Sequence, residues 1–274
     1  MNERSVSIPR TAIAVCLTVP FVLPFLFLVS TAFRTREDYI GSRVGLPHTL
    51  TIEHLRYAWT SARMGRAMVN SLLTTSIAVV VLVTVSLAAA YWFLRHRGPI
   101  SRLLLIAIAS LWVVPYVIYL LPLFITLSDL GLTDNLFILG FLYAATNLPF
   151  GIFFMYVYLQ RGVPAEVREA AEVDGASSLR EFRSIIVPLA TPAIGTLGAL
   201  AFVWAWGDLL LALVTLQSDD KYTITVAATT LATRTDAGVQ EVAAAAFLAI
   251  LPLLVVFLAA QRAIARGFVA GVGK

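Results

Sequence analysis

The chain has 274 residues, of which 59% are hydrophobic and 13% charged, with a mean hydropathy of +0.85. A soluble domain carries roughly a quarter of its residues as charges, so the composition excludes a soluble globular protein and points to one solvated by lipid. The net charge of +4 rests on 18 arginines and two lysines. These stand at the ends of apolar segments, as membrane-surface anchors do, and not in a basic stripe with interleaved aromatics, which excludes a nucleic-acid surface.

A helix needs about 20 mostly apolar residues to cross a bilayer. Six stretches qualify, near 11–33, 70–94, 101–127, 136–160, 192–216 and 242–265. The first is too long for the core of a secretory signal and no small-residue cleavage site follows it; Phe33-Arg34-Thr35-Arg36 closes it. The single cysteine, Cys16, follows Ile13-Ala14-Val15, which is not a lipoprotein signal, and reads as a small apolar side chain. Several prolines fall inside the spans: Pro20, Pro24, Pro115, Pro122, Pro149 and Pro252. They bend helices, and a membrane bundle tolerates them where neighbours satisfy the freed carbonyls. The expected fold is all-α, a polytopic membrane protein with six transmembrane helices in one domain over 1–274.

Orientation follows from the basic residues. With the N-terminus cytoplasmic, the inner segments hold 12 of the 20: Arg4, Arg10, Arg95, Arg97, Arg102, Arg161, Arg168, Arg180, Arg183, Arg262, Arg266 and Lys274. The exception is the first outer loop, with Arg34, Arg36, Arg43, Arg56, Arg63 and Arg66. Both termini are therefore expected in the cytoplasm. The outer segment 217–241 reads as a nearly balanced loop, and its Asp219-Asp220-Lys221 run as solvated or as facing a partner.

The segment 161–191, between the fourth and fifth spans, is the most informative. Pro164 suits the first turn of a helix. Residues 165–174 are good helix formers with acidic residues early, and Gly175 can take the left-handed conformation that ends a helix. A second short helix is expected near 178–187, stopping at Pro188. The result is a helix–Gly–helix elbow. Ala170 and Ala171 admit a close backbone, Glu169, Glu172 and Asp174 offer carboxylates, and Leu179, Phe182, Ile185 and Ile186 form an apolar stripe for the bundle.

Glu169-Ala170-Ala171, then Gly175, Phe182, Ile185 and Pro188 at their spacing, with Pro192 beyond, resembles the "EAA" signature of the membrane subunits of bacterial binding-protein-dependent ABC importers. Other stretches resemble the carbohydrate-uptake branch of that family, specifically its maltose-G-like permeases. They are Thr49-Leu50-Thr51-Ile52-Glu53-His54-Leu55-Arg56 leading to Asn70-Ser71, then Ala205-Trp206-Gly207-Asp208-Leu209-Leu210, and the ending from Gln261-Arg262 to Gly273-Lys274. Gly207 stands where the family has Asn.

The resemblance implies a type I ABC importer permease fold in a bacterial inner membrane, with the elbow as a cytoplasmic coupling helix. It implies a second, homologous permease, two ATP-binding subunits and an extracytoplasmic solute-binding protein as partners. The ATP-binding subunit would be contacted by Arg168, Glu169, Ala170, Ala171, Glu172, Asp174 and Gly175, with Phe182, Ile185 and Pro188 seating the elbow on the bundle. Neither Lys221 nor Lys274 lies in a Gly-x-x-x-x-Gly-Lys-Ser/Thr loop. The chain is thus read as non-catalytic and without a cofactor of its own, ATP and Mg belonging to the partner.

Polar groups inside spans are costly and often functional. Tyr116, Tyr119, Asn147, Trp206 and Asp208 are therefore candidates for the solute path, the aromatics alternatively being packing or anchors, and Asp208 alternatively pairing with an arginine of the assembly. The resemblance implies as solute a sugar, an oligosaccharide or an amino sugar, or alternatively a glycerophosphodiester. An ion-coupled carrier would need more carboxylates in its spans than Asp208. His48, His54 and His96 lie in loops or at span ends, which excludes an intramembrane haem or metal cluster.

Overall fold

A computed structural model describes the backbone of residues 8–272 and the side chains of 16–261. Arg4, Arg10, Arg262, Arg266 and Lys274, on which part of the orientation reading rests, and the resemblance of the chain's ending beyond Gln261, lie outside the described side chains. The helices in chain order are α1 (Ile8–Ala32), α2 (Arg36–Gly41), α3 (Glu53–Thr60), α4 (Met64–Arg95), α5 (Pro99–Leu111), α6 (Leu120–Asp129) and α7 (Leu136–Gly162). There follow α8 (Ala165–Val173), α9 (Ser178–Glu181), α10 (Val187–Gly207), α11 (Leu210–Thr215), α12 (Ile224–Thr233) and α13 (Val239–Val272). Among the described residues the only β pairing is an isolated bridge between Arg34 and Leu50.

Among the described residues four helices are long and apolar enough to cross a membrane unbroken: Met64–Arg95, Leu136–Gly162, Ser178–Gly207 and Val239–Gln261. A fifth crossing is the pair α5 and α6 with the 3₁₀ turn Tyr116–Tyr119, bent by 80°. The expected single helix over 101–127 is therefore two arms. Trp112, Val113 and Val114 donate to the carbonyls of Ala109, Ser110 and Leu111 in tight turns, and Pro115 has no N–H with which to continue.

The fifth span also departs from expectation. It was read as 192–216, preceded by a separate helix ending at Pro188. Instead the chain is helical from Ser178 to Gly207, with a π turn at Phe182–Ile186 in which the Val187 N–H reaches the Phe182 carbonyl. The widened turn seats Pro188 in the first turn of α10, where its ring and missing donor do not break the helix. The break comes at Asp208, whose backbone is extended at ψ 132°, before α11 resumes. The outer segment 217–241, read as loop, contains α12, whose Ile224, Val226 and Leu231 are buried.

The chain's contacts fall into two units, one up to Gly65 with Ala227–Leu251, the other Arg66–Val226 with Pro252 onward. In the first, Phe33 meets Phe247 edge-on at 5.5 Å, and His54 Nδ1 lies 2.9 Å from a Glu241 carboxylate oxygen. Arg34 is 1% exposed and donates to the carbonyls of Ser42 at 2.7 Å and Leu46 at 2.8 Å. This arginine is a loop organiser, which accounts for one member of the basic first outer loop.

The core of the second unit lies where α4, α7 and α10 meet. Leu82, Leu87, Tyr91 and Leu94 pack with Ala144, Met155 and Leu159, and with Ile186, Ala190, Ala193, Leu197 and Ala201. Alanines and glycines let the backbones close in, as in membrane helix pairs generally. A Cβ on Gly140 would lie 2.9 Å from the Thr74 carbonyl oxygen and 2.8 Å from Ile77 Cβ. The Thr74 carbonyl is backbone and cannot step aside, so Gly140→Ala is expected to destabilise the fold by about 1–3 kcal/mol. Gly198→Ala, whose Cβ would meet nothing nearer than Val79 at 3.8 Å, is expected to be tolerated. Thermal unfolding of the two purified variants in detergent measures the difference.

Candidate functional sites

The elbow begins after Pro164, which directly precedes α8. Gly175 has φ +72°. Its N–H donates to the Glu172 carbonyl at 3.1 Å, and the Ala176 N–H reaches Ala171 at 2.9 Å. This is a Schellman cap, and it turns the chain sharply into the segment from Ser177. Ser177 Oγ then accepts from the Arg180 N–H at 3.4 Å and caps α9.

The elbow's faces are divided. Glu169, Ala170, Glu172, Asp174 and Gly175 are exposed. Ala171 is turned inward and 8% exposed, with Arg180, Ser184 and Ile185 around the same small cavity. The expected apolar stripe is only partly buried. Ile186 is fully buried, Phe182 packs on Tyr91 at 5.3 Å between ring centroids, and Ile185 is half-buried. Leu179 is 57% exposed and Pro188 is also exposed. The π turn rotates the register after Phe182, which moves Pro188 off the packed face and Ile186 onto it.

Glu181 was not singled out in the sequence, yet its environment is the most polar in the buried part of the elbow. It is 5% exposed. One carboxylate oxygen accepts from Tyr91 Oη at 2.7 Å and from Arg95 Nη1, and the other lies 3.4 Å from Arg168 Nε. Arg95 also donates to Tyr91 Oη at 3.0 Å. Glu181 thereby joins α4, α8 and α9. The available sequence signal was the Tyr91/Arg95 pair, spaced i, i+4 on one face of a span end.

A second constellation surrounds a cavity of about 460 Å³, built where two spans break. Trp112, Pro115, Tyr116 and Tyr119 come from the bend of the third span, Tyr143, Thr146 and Asn147 from α7, and Trp204, Gly207 and Asp208 from the end of α10. Asp208 Oδ2 accepts from Tyr116 Oη at 2.8 Å, and Oδ1 accepts from the N–H groups of Leu211 at 3.0 Å and Ala212 at 3.4 Å. The carboxylate therefore caps α11 while holding Tyr116. Asn147 Nδ2 donates to the Tyr143 carbonyl at 3.1 Å, and the buried Tyr143 hydroxyl has no hydrogen-bond partner among the described residues.

Four of the five sequence-picked path residues, Tyr116, Tyr119, Asn147 and Asp208, line this one cavity. Trp206 does not. It is 1% exposed and stacked on Phe202 at 5.4 Å, because two residues along a helix turn a side chain through about 200°. Trp204 faces the cavity in its place. At Gly207 an added Cβ would meet nothing within 4 Å, so the glycine leaves open space beside the cavity. Among the described residues no arginine pairs with Asp208 and no cluster of metal-ligating side chains occurs.

Asp134 fastens the loop before α7 to the loop after α11. It accepts from Ser218 Oγ at 2.6 Å, Lys221 Nζ at 2.9 Å and the N–H groups of Gln217 and Ser218, both at 3.0 Å. Burial pushes its carboxyl pKa up, but the Ser218 and Lys221 hydrogen bonds outweigh this and hold it well below the usual carboxylate range. Arg66 pairs with Asp220 at 2.9 Å. The Asp219-Asp220-Lys221 run is thus tied down by both neighbours.

Known proteins resemble the chain over most of its length. It is 28% identical to the melibiose/raffinose/stachyose import permease protein MelC of Bacillus subtilis over 264 residues, covering 96% of this chain and 95% of that one. It is 36% identical to a putative ABC transporter permease protein of Streptomyces antibioticus, covering 84% of this chain and all of the other. The fold is that of a chain in the crystal structure of a bacterial ABC transporter that imports alginate, with a TM-score of 0.80, 23% identity, and coverage of 96% and 98%. Residues 82–269 match the family described as the binding-protein-dependent transport system inner membrane component, and the chain belongs to that family.

Proposed function

We propose that the chain is one of two related permease subunits of an ATP-driven carbohydrate importer in a bacterial cell membrane. α1 would complete six spans around a path shared with the second permease, the whole chain acting as one transmembrane domain with both termini in the cytoplasm. The observation that carries the reading is the Schellman-capped elbow, which bears Glu169, Glu172 and Asp174 on an exposed face. An ATP-binding subunit, which would hold ATP and Mg, fits that face, and an extracytoplasmic solute-binding protein would deliver the solute. Ala171 and Arg168 would act from behind it, Ala171 by close packing and Arg168 through Glu181.

A sugar suits the cavity, because aromatic faces stack on sugar rings and Asn147 and Asp208 offer hydrogen-bonding groups beside Trp112, Tyr119 and Trp204. The names of relatives point the same way: MelC, the diacetylchitobiose uptake permease NgcG of Streptomyces coelicolor and the alpha-glucoside permease AglG of Rhizobium meliloti. A non-sugar solute is the second reading. A relative 34% identical, from Synechocystis, is named for uptake of osmoprotective compounds.

In the importer reconstituted in vesicles with its ATP-binding and solute-binding partners, Glu169→Lys with Glu172→Lys is expected to lose the ATP-binding subunit on purification. A complex that stays intact would sink the docking assignment. Glu181→Gln removes the charge from a buried pair, a change that costs about 3–5 kcal/mol when one partner is lost outright, and is expected to lower the solute moved per ATP hydrolysed; Glu181→Asp should restore much of it. For the path, Trp204→Ala is expected to raise the KM of uptake by about ten-fold, as loss of one stacking contact of 1–2 kcal/mol would. Trp206→Ala is expected instead to lower thermal stability by about 3–5 kcal/mol. An unchanged KM in Trp204→Ala would remove that side chain from the solute path.

A further inference from the structure

A larger cavity, of about 720 Å³, lies between the end of α4, the start of α5 and α7, and the function above makes no use of it. Its charged lining is Arg97 and Arg102, with His96 beside them and no carboxylate. Arg97 gives one N–H to the Leu94 carbonyl at 3.3 Å. Among the described residues neither arginine has an ion-pair partner. Ser101, also in the lining, is 8% exposed and its hydroxyl has no hydrogen-bond partner among the described residues. α5 begins at this cavity without a side-chain cap, after Gly98 and with Pro99 in its first turn, so its first N–H groups add positive potential.

The opposite wall is apolar. Phe93 and Leu105 are 6% and 8% exposed and pack in one cluster with Ile152 and Tyr156. Ile106, also in the lining, is 54% exposed, and Ile100 and Leu103 beside it on α5 are exposed at 74% and 67%, as side chains facing acyl chains would be. A site with two unpaired guanidinium groups and a hydroxyl at one end and a greasy wall at the other is matched by a molecule built the same way. We infer that this cavity holds an anionic phospholipid, its phosphate at Arg97, Ser101 and Arg102 and an acyl chain along Leu105 and Ile106. Basic pockets between membrane helices bind such headgroups. A free phosphate ion would satisfy the arginines and leave the apolar wall unused.

The test is native mass spectrometry of the assembled importer, released from vesicles and titrated with phosphatidylglycerol or phosphatidylcholine. The wild type is expected to retain phosphatidylglycerol in preference to phosphatidylcholine. Arg97→Gln and Arg102→Gln should each weaken retention about five-fold. Ser101→Phe, which puts a ring in place of the headgroup's hydroxyl partner and keeps both charges, should weaken it at least as much. Equal retention in the wild type and the arginine double variant would overturn the site, as would retention unaffected by Ser101→Phe. Equal retention of the two lipids would overturn its preference for anionic headgroups. Displacement of the lipid by inorganic phosphate alone would also overturn the proposal, by reassigning the site to the free ion.

Discussion

A helix that breaks inside a membrane releases N–H and carbonyl groups into a medium that cannot hydrate them. Asp208 resolves this for the fifth span. Its carboxylate takes the first free N–H groups of α11, its backbone carbonyl accepts from Thr225 Oγ1 at 2.8 Å, and its other oxygen holds Tyr116 on the bend of the third span. The two broken spans are thereby tied to each other across the cavity they create. The half-buried carboxylate has three donors, and among the described residues no arginine pairs with it.

Glu181 answers the same constraint at the other end of that span. Tyr91, Arg95 and Arg168 converge on it from α4 and α8, so the elbow's second half is fixed by charge where its apolar stripe is incomplete. The exposed Leu179 and Pro188 show that the stripe alone does not hold the elbow. Division of labour follows within nine residues of α8: acidic side chains on the open face, and Arg168 and Ala171 on the closed one.

Five of the expected spans were legible because their periodless apolar runs exceed the length of a bilayer crossing. The elbow was legible because Pro164 and Gly175 have conformations few other residues share. Breaks were harder. Pro115 and Pro188 are both prolines in apolar context, yet one bends its span and the other rides in a continuous helix. A π turn precedes Pro188, a backbone adjustment with no side-chain signature. Trp204 and Trp206 were equivalent in composition, and only the helix phase, set by where α10 starts and stops, puts one in the cavity and the other in the core. Glu181 escaped notice because two of its three partners, Tyr91 and Arg95, are about 90 residues away in sequence.

The continuity through the π turn changes what the elbow can do. A separate helix stopping at Pro188 would pass a push into the bundle through side-chain contacts, each able to yield. A single helix from Ser178 to Gly207 spans about 45 Å at 1.5 Å per residue, and its two ends carry the two sites. Glu181 sits in its first turn, and Trp204, Gly207 and Asp208 at its last. On the proposed reading, an axial displacement or rotation of the elbow would reach the cavity along one helix.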